Sequence, residues 1–201
     1  MLAGLQMPSD PHLRRWMTFV DGENFTLQAQ KVAAKNSVIL TEGPYYSKDV
    51  FIWLPKILAA ANITPGPIGL QAHATRSFYY SSITSGNDVA LNDIKWKMRE
   101  RGFTPEVFKK KSEKSKGVDI TLSKDLLVNA FFNNYDVAVL IAGDGDYALL
   151  VQEVKRLGKV VYVSFFENEG LNKDLHMAAD HYLDMKQFFL DRWRDPENAG
   201  V

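Results

Sequence analysis

The chain has 201 residues, of which 46% are hydrophobic, 12% aromatic and 24% charged. This composition is that of a folded globular protein with a single core, and it excludes a largely disordered chain. The 24 Lys and Arg residues balance 24 Asp and Glu residues, so a nucleic acid or an anionic membrane could be bound only by a local patch of charge.

The sequence also bears on the compartment. It contains no cysteine, which excludes disulfides, thiolate nucleophiles and zinc–thiolate sites and fits a reducing environment. The first 16 residues lack the apolar run of a signal peptide, and no later stretch approaches the roughly 20 apolar residues of a membrane span. We therefore expect a cytoplasmic protein that does not contact a membrane.

The first half of the chain contains two segments with strand character. The apolar run 16–20 predicts a strand that ends at the small and polar residues Asp21 and Gly22. The other predicted elements are a weak helix from Phe25 into the mid 30s, a loop at 41–48, a helix at 48–63 that Pro55 should kink, a turn at 64–69, a strand at 70–80, a polar break at 81–88, and a helix at 89–102 capped by Asn87 or Asp88.

The second half alternates apolar strands with helices. The predicted elements are an extended segment at 103–111, helices at 118–134, 146–158, 173–178 and 186–193, and strands at 136–143, 159–165 and 181–185. Strands that are apolar throughout and alternate with helices are typical of a parallel sheet covered on both faces. The sequence therefore predicts an α/β protein with a mainly parallel central sheet.

Four aspartates are predicted to lie at one edge of this sheet. Asp21 follows the first strand, Asp144 and Asp146 follow a buried strand, and Asp119 begins a helix. Ligands of open α/β sheets bind where loops from the carboxyl ends of several strands converge. Taken singly, Asp119 could be a favourable charge in a first helical turn and Asp144 a helix cap. Their combination with Asp21 favours a shared site.

Such a group of acids requires a cation, because carboxylates that are brought together repel each other. Mg²⁺ or Mn²⁺ prefers oxygen ligands, whereas zinc would need His or Cys, and the four histidines show no metal-ligand spacing. The ion can activate water and stabilise charge on a phosphate, which is the chemistry of phosphodiester hydrolysis. We expect Asp144 and Asp21 as direct ligands, Asp119 and Asp146 to complete the shell, and Asn24 to position a carboxylate or a phosphate.

A lysine-rich segment leads into the helix that carries Asp119. Its members are Lys109, Lys110, Lys111, Lys114 and Lys116. Such a run is by default a solvated loop, but next to the acids it could contact phosphates. We assign Lys114 and Lys116 to substrate binding.

Several aromatic residues are candidates for stacking on the bases of a single-stranded substrate. Tyr79, Tyr80 and Tyr147 could serve in this way, although burial in the core is the expected fate of all three. We assign His73 and Trp96 to structure.

Three segments together resemble the NYN domain family, a PIN-like branch of metal-dependent ribonucleases. They are "FVDGENF" (19–25), "KGVDITLSKDLL" (116–127) and "IAGDGDYALLV" (141–151), and the resemblance spans about residues 15 to 165. It implies a three-layer α/β/α PIN-like fold, a Mg²⁺ or Mn²⁺ site and hydrolysis of RNA. We accordingly expect an N-terminal extension at 1–14, the PIN-like domain at 15–185, and a C-terminal helix and tail at 186–201.

The resemblance assigns the acids of the family to particular positions. They are Asp21, Asp119, Asp144 and Asp146, with the amide-bearing position at Asn24. Asp125 also recurs in the family motif, but it should lie off the helical face of Asp119 and is a secondary candidate. Ala142 stands where a hydroxyl residue is expected, and Tyr147 stands where Phe is usual. A missing hydroxyl could weaken the support of the metal ligands.

Two functions remain open at this point. One is a Mg²⁺- or Mn²⁺-dependent endoribonuclease, and the other is a non-catalytic RNA-binding or regulatory protein with the same fold. A phosphatase of the haloacid dehalogenase type is disfavoured, because position 23 is Glu rather than the required Asp. A nucleotide-binding protein is disfavoured because no Gly-rich phosphate loop follows a strand. The sequence also leaves open a homo-oligomer.

Overall fold

The computed structural model describes residues 15–53, 74–84, 88–110 and 116–194. The strands are β1 (Trp16–Asp21), β2 (Tyr46–Ser47), β3 (Phe51–Ile52), β4 (Ala74–Ile83), β5 (Thr104–Lys109), β6 (Val137–Ile141), β7 (Val160–Phe165) and β8 (His181–Asp184). The helices are α1 (Gly22–Lys35), α2 (Asp88–Glu100), α3 (Lys116–Phe131), α4 (Tyr147–Arg156), α5 (Lys173–Ala178) and α6 (Lys186–Arg194). The predicted extension at 1–14, the turn at 64–69, His73, Lys111 and Lys114 lie outside the described residues.

Six strands form one sheet in the order β5-β4-β1-β6-β7-β8, and every neighbouring pair is parallel. From the central β1 the chain moves outward to one side and then, from β6, outward to the other side. This is the order of a doubly wound sheet, in which a crevice opens at the carboxyl ends of the two central strands. Asp21, at the end of β1, and the loop after β6 therefore border the same crevice.

The sheet lies between two helical layers. Val20 packs in a core with Phe25 of α1, whereas its neighbour Phe19 packs in a second core with Leu122 of α3 and Val151 of α4. Successive side chains of a strand point to opposite faces, which is why adjacent residues of β1 supply the two cores. The predicted α/β/α architecture with a parallel central sheet is thus confirmed.

One predicted helix was wrong at its beginning. The segment 48–63 opens with a turn at 48–50, followed by β3, which pairs with the antiparallel β2, and Phe51, Ile52 and Trp53 are buried. Trp53 packs edge-on against Phe103, with ring centroids 4.4 Å apart. A short apolar run has no periodicity that separates a strand from a helix. The rest of this segment lies outside the described residues.

Two further expectations need correction. β4 continues to Ile83, into the predicted polar break, because the hydroxyls of Ser81 and Ser82 donate hydrogen bonds to the Val50 carbonyl and to Glu23. Trp96, assigned to structure, is 60% exposed, and its indole N–H donates to Glu100 on the surface of α2.

Among the helices that the structure describes, none has the length and apolar composition needed to cross a membrane.

Candidate active site

Asp21 is the buried carboxylate at the centre of the crevice. It is the last residue of β1, and only 3% of its surface is exposed. Its Oδ1 accepts a hydrogen bond from the backbone N–H of Asn24 at 3.0 Å, which caps α1. Its Oδ2 accepts a hydrogen bond from the hydroxyl of Tyr147 at 2.9 Å. Both oxygens are therefore oriented by the fold.

The hydroxyl of Tyr147 joins Asp21 to Asp119. Tyr147 is the first residue of α4 and is 2% exposed, and its oxygen lies 3.3 Å from Oδ1 of Asp119 in the first turn of α3. A hydroxyl has one proton, so it can donate to only one of the two carboxylates at a time. Through this contact β1, α3 and α4 meet at one point.

Burial and mutual repulsion raise the pKa of both of these carboxyl groups. Burial, the largest cause, raises the pKa of Asp21 to about 7, against the opposing hydrogen bonds from Asn24 and Tyr147. Partial burial also raises the pKa of Asp119, and the charges of Asp144, Glu23 and Asp146 act in the same direction. Near neutral pH these acids therefore favour a proton or a cation as a partner.

Asp144 and Asp146 lie on the exposed loop after β6. The Oδ1 of Asp144 accepts a hydrogen bond from the backbone N–H of Asp146 at 3.1 Å. Asp146 occupies the N-cap position of α4, but its side chain makes no capping hydrogen bond. Since both charges act on Asp119, the structure brings all four predicted acids to the same edge of the sheet.

Asn24 connects two of the loops that carry these acids. Its Oδ1 accepts a hydrogen bond from the backbone N–H of Gly143 at 2.9 Å, directly before Asp144. Gly143 has no room for a side chain, because a Cβ would lie 2.3 Å from the ring of Phe165 and 2.5 Å from the carbonyl oxygen of Gly170. Asn24 was predicted to position a carboxylate or a phosphate, and its side-chain oxygen is engaged in holding this loop.

Glu23 is an acid of this site that the sequence analysis did not select. It accepts a hydrogen bond from the hydroxyl of Ser82 at 2.6 Å and forms an ion pair with Lys110. Its charge raises the pKa of both Asp21 and Asp119. Its position two residues after Asp21, in the first turn of α1, was the only signal in the sequence.

The lysine-rich segment is described at its two ends. Lys109 forms an ion pair with Asp88, and Lys110 forms one with Glu23. Lys116 is the first residue of α3, three positions before Asp119, and Lys114 lies outside the described residues. Both ends of the segment therefore adjoin the acids, and substrate binding by Lys114 and Lys116 stays a prediction.

Tyr79 and Tyr80 are buried, as expected, and offer no ring surface for stacking. The Tyr79 hydroxyl contacts Thr26 at 3.2 Å in the core. The Tyr80 hydroxyl donates to Asp125 at 3.1 Å, and Asp125 also pairs with Lys124. Asp125 is thus engaged with groups other than the four acids.

The donor chemistry of the site fits Mg²⁺ or Mn²⁺. Within the described residues no three His, Asp or Glu side chains are already gathered closely enough to hold a metal ion. The site instead has the buried carboxylate of Asp21 and the exposed carboxylate of Asp119, both facing the hydroxyl of Tyr147. Two more carboxylates lie on the adjoining loop. Mg²⁺ keeps several waters and usually takes one or two carboxylates directly, so this arrangement suits it.

Comparison with known proteins shows the family and the fold. The family model of the NYN domain matches residues 15–186. The chain is similar to a crystal structure of a protein of unknown function from Vibrio parahaemolyticus, with a TM-score of 0.60 and 17% identity over 89% of this chain and 96% of that chain, which shows the fold alone. The chain is also similar to a structure described as an oxidoreductase from Parabacteroides merdae, with a TM-score of 0.32 and 9% identity over 85% of this chain and 31% of that chain. At this TM-score the similarity carries no argument. The comparison with curated proteins gives no match.

Proposed function

Because the chain belongs to the NYN domain family, a PIN-like nuclease family, we propose that it is a Mg²⁺- or Mn²⁺-dependent endoribonuclease. The observation that carries the proposal is the Tyr147 hydroxyl, which joins buried Asp21 to Asp119 beside two further acids. A buried carboxylate with a pKa raised to about 7 is unusual outside a functional site.

The four acids have different roles in this proposal. Asp21 and Asp119, which share the Tyr147 hydroxyl, would hold the ion, and Asp144 and Asp146, on the exposed loop, would complete its ligands or act through water. When bound, the ion activates a water and offsets negative charge on the phosphate. Asn24 keeps the loop of Asp144 against the loop of Asp21. Lys110, paired with Glu23, and the lysines that follow it offset the repulsion between the acids and the RNA backbone.

The test is cleavage of a circular RNA and of a panel of linear RNAs, with Mn²⁺ and with EDTA, by the wild type, Asp144→Asn and Asp191→Asn. Asp191 is an exposed aspartate of α6 and serves as the matched control. We expect cleavage that needs Mn²⁺, is lost in Asp144→Asn and is retained in Asp191→Asn. Opening of the circle identifies an internal cut.

A different result would support the non-catalytic alternative. The observation that favours this alternative is Ala142, which is buried and supplies no hydroxyl where the family resemblance leads us to expect one. If every RNA stays intact with Mn²⁺ while RNA binding persists in both the wild type and Asp144→Asn, the protein recognises RNA without cutting it.

A further inference from the structure

We propose that a polar cavity beside the acids binds the nucleotide next to the scissile bond of the RNA. The cavity has a volume of about 260 Å³ and is lined by residues 167, 168 and 170–172 of the loop between β7 and α5, with Glu167 as its one acid, and by Lys173 and His176 of α5. The inference rests on the proposed function, because it names a subsite for the same substrate. It also specifies on which side of the acids this nucleotide lies.

The wall of the cavity packs directly on the loop that carries Asp144. The backbone N–H of Asn172 donates to the carbonyl oxygen of Gly143 at 2.8 Å. A Cβ on Gly145 would lie 2.6 Å from the side chain of Asn172, and one on Gly143 would lie 2.5 Å from the carbonyl oxygen of Gly170. The glycines on both sides of Asp144 thus permit a close approach, so a ligand in the cavity is a direct neighbour of this carboxylate.

The local fold preforms the cavity. Asn168 and Gly170 have positive φ angles of 60° and 102°, which bend the segment. Gly170 packs against Gln28 of α1, where a Cβ would lie 2.8 Å from the side-chain carbon. The Oδ1 of Asn172 accepts a hydrogen bond from the backbone N–H of Asp174 at 2.8 Å. A segment held at both ends needs little ordering when a ligand binds.

The lining groups suit one nucleotide. Exposed Lys173 supplies a cation for a phosphate, and the side chains of Asn168 and Asn172 supply amide groups for base or ribose edges. The ring of His176, supported by Tyr182 at a centroid distance of 4.4 Å, supplies a flat surface for a base. The volume is below the roughly 300–1,000 Å³ of pockets for drug-sized ligands, which fits a single unit of the strand.

The strand order also gives the RNA a direction across the crevice. β5 and β7 lie on opposite sides of β1, so Lys109 and Lys110 at the end of β5 and the cavity after β7 flank the acids on opposite sides. An RNA strand that contacts these two lysines therefore reaches the cavity after it has passed the carboxylates. The cavity then holds the nucleotide on the β7 side of the cut.

The first test measures binding without turnover. Each of the four nucleoside 5′-monophosphates is titrated into the full chain in EDTA by calorimetry, with the wild type, Lys173→Ala and His176→Ala. The matched controls are Lys124→Ala, an exposed lysine of α3, and His181→Ala, a histidine of β8 whose ring packs on Tyr162 at 4.4 Å. We expect the wild type to bind a nucleotide, and each cavity variant to bind it roughly tenfold more weakly because one charged or stacking contact is lost. Binding by both control variants should equal that of the wild type.

Two results would overturn the proposal. They are no binding of any of the four nucleotides by the wild type, and binding that Lys173→Ala and His176→Ala leave unchanged. His176→Phe keeps the aromatic surface against Tyr182 and should retain most of the affinity, which separates stacking from a loss of folding.

The second test uses RNA cleavage and separates this inference from the proposed function. In Lys173→Ala we expect KM to rise roughly tenfold with kcat nearly unchanged, because a contact made equally in the ground state and the transition state is lost. Nucleotide binding in the cavity without RNA cleavage would contradict the proposed function and a place beside a scissile bond, and would leave only the cavity as a nucleotide-binding site. Cleavage with an unchanged KM in Lys173→Ala would contradict the subsite alone.

Discussion

The hydroxyl of Tyr147 lies 2.9 Å from Oδ2 of Asp21, so the first residue of α4 holds the last residue of β1. The family resemblance leads us to expect Phe at this position and a hydroxyl residue at position 142. Here Ala142 is buried without a hydroxyl, and the hydroxyl of the site comes from Tyr147. Its distance of 3.3 Å from Asp119 makes it a shared partner of two acids that otherwise repel each other.

We predict that Tyr147→Phe weakens Mn²⁺ binding by about 10–100-fold, because hydrogen bonds that orient metal ligands typically have effects of this size. The measurement is a Mn²⁺ titration followed by electron paramagnetic resonance, which needs no substrate. Tyr135→Phe is the control, since it removes another buried tyrosine hydroxyl, one that donates to the carbonyl of Leu126 at 2.9 Å. Equal or tighter Mn²⁺ binding in Tyr147→Phe would show that the hydroxyl does not support the metal ligands.

We predict that the metal-free protein loses stability as the pH rises from about 4 to about 7. Folding raises the pKa of Asp21 from 3.8 to about 7, so in this window the folded state binds a proton that the unfolded state has released. The free energy of unfolding should fall by up to about 4 kcal/mol across the window. Urea unfolding in EDTA at several pH values checks this, and Mn²⁺ should reduce the fall.

Asp21→Asn is the variant that tests the assignment of this pH dependence to Asp21. The asparagine side chain does not titrate, so the variant should show a clearly smaller fall between pH 4 and pH 7. Asp119 contributes in the same direction, since its pKa is also raised. If the wild type and Asp21→Asn follow parallel curves, burial of the Asp21 charge is not the cause.

We predict that Gly143→Ala destabilises the fold by about 1–3 kcal/mol, the usual cost of overpacking. The new Cβ would lie 2.3 Å from the Phe165 ring and 2.5 Å from a backbone carbonyl oxygen, so the loop of Asp144 must move. Urea unfolding measures the change. Gly117→Ala is the control, since its Cβ would lie 3.7 Å from the ring of Phe108, which is an ordinary contact. This variant should be as stable as the wild type or more stable, because alanine favours the helix. Equal stability of both variants would mean that the loop yields easily.

Local sequence patterns determined most of the sheet and the rough placement of the acids. The apolar runs of β1, β6 and β7 and the helices between them predict a parallel sheet, and the carboxyl ends of its strands meet at one edge. Asp21 and Asp144 could therefore be assigned to that edge, because each directly follows a predicted strand. The short hairpin of β2 and β3 was missed, because two-residue strands carry no readable period.

Contacts between distant segments were decided only by the tertiary structure. Glu23 contacts Ser82 because β4 pairs in parallel with β1, and this pairing places Ser82 beside the Glu23 carboxylate. Lys110, which directly follows β5, forms an ion pair with the same carboxylate. Tyr147, expected to be buried, meets Asp21 because α4 packs on the face of the sheet that carries this side chain. The cavity exists because Gly143 and Gly145 let two loops touch, and no local pattern encodes such an approach. Backbone propensity acts over a few residues, whereas these contacts depend on packing across the whole sheet.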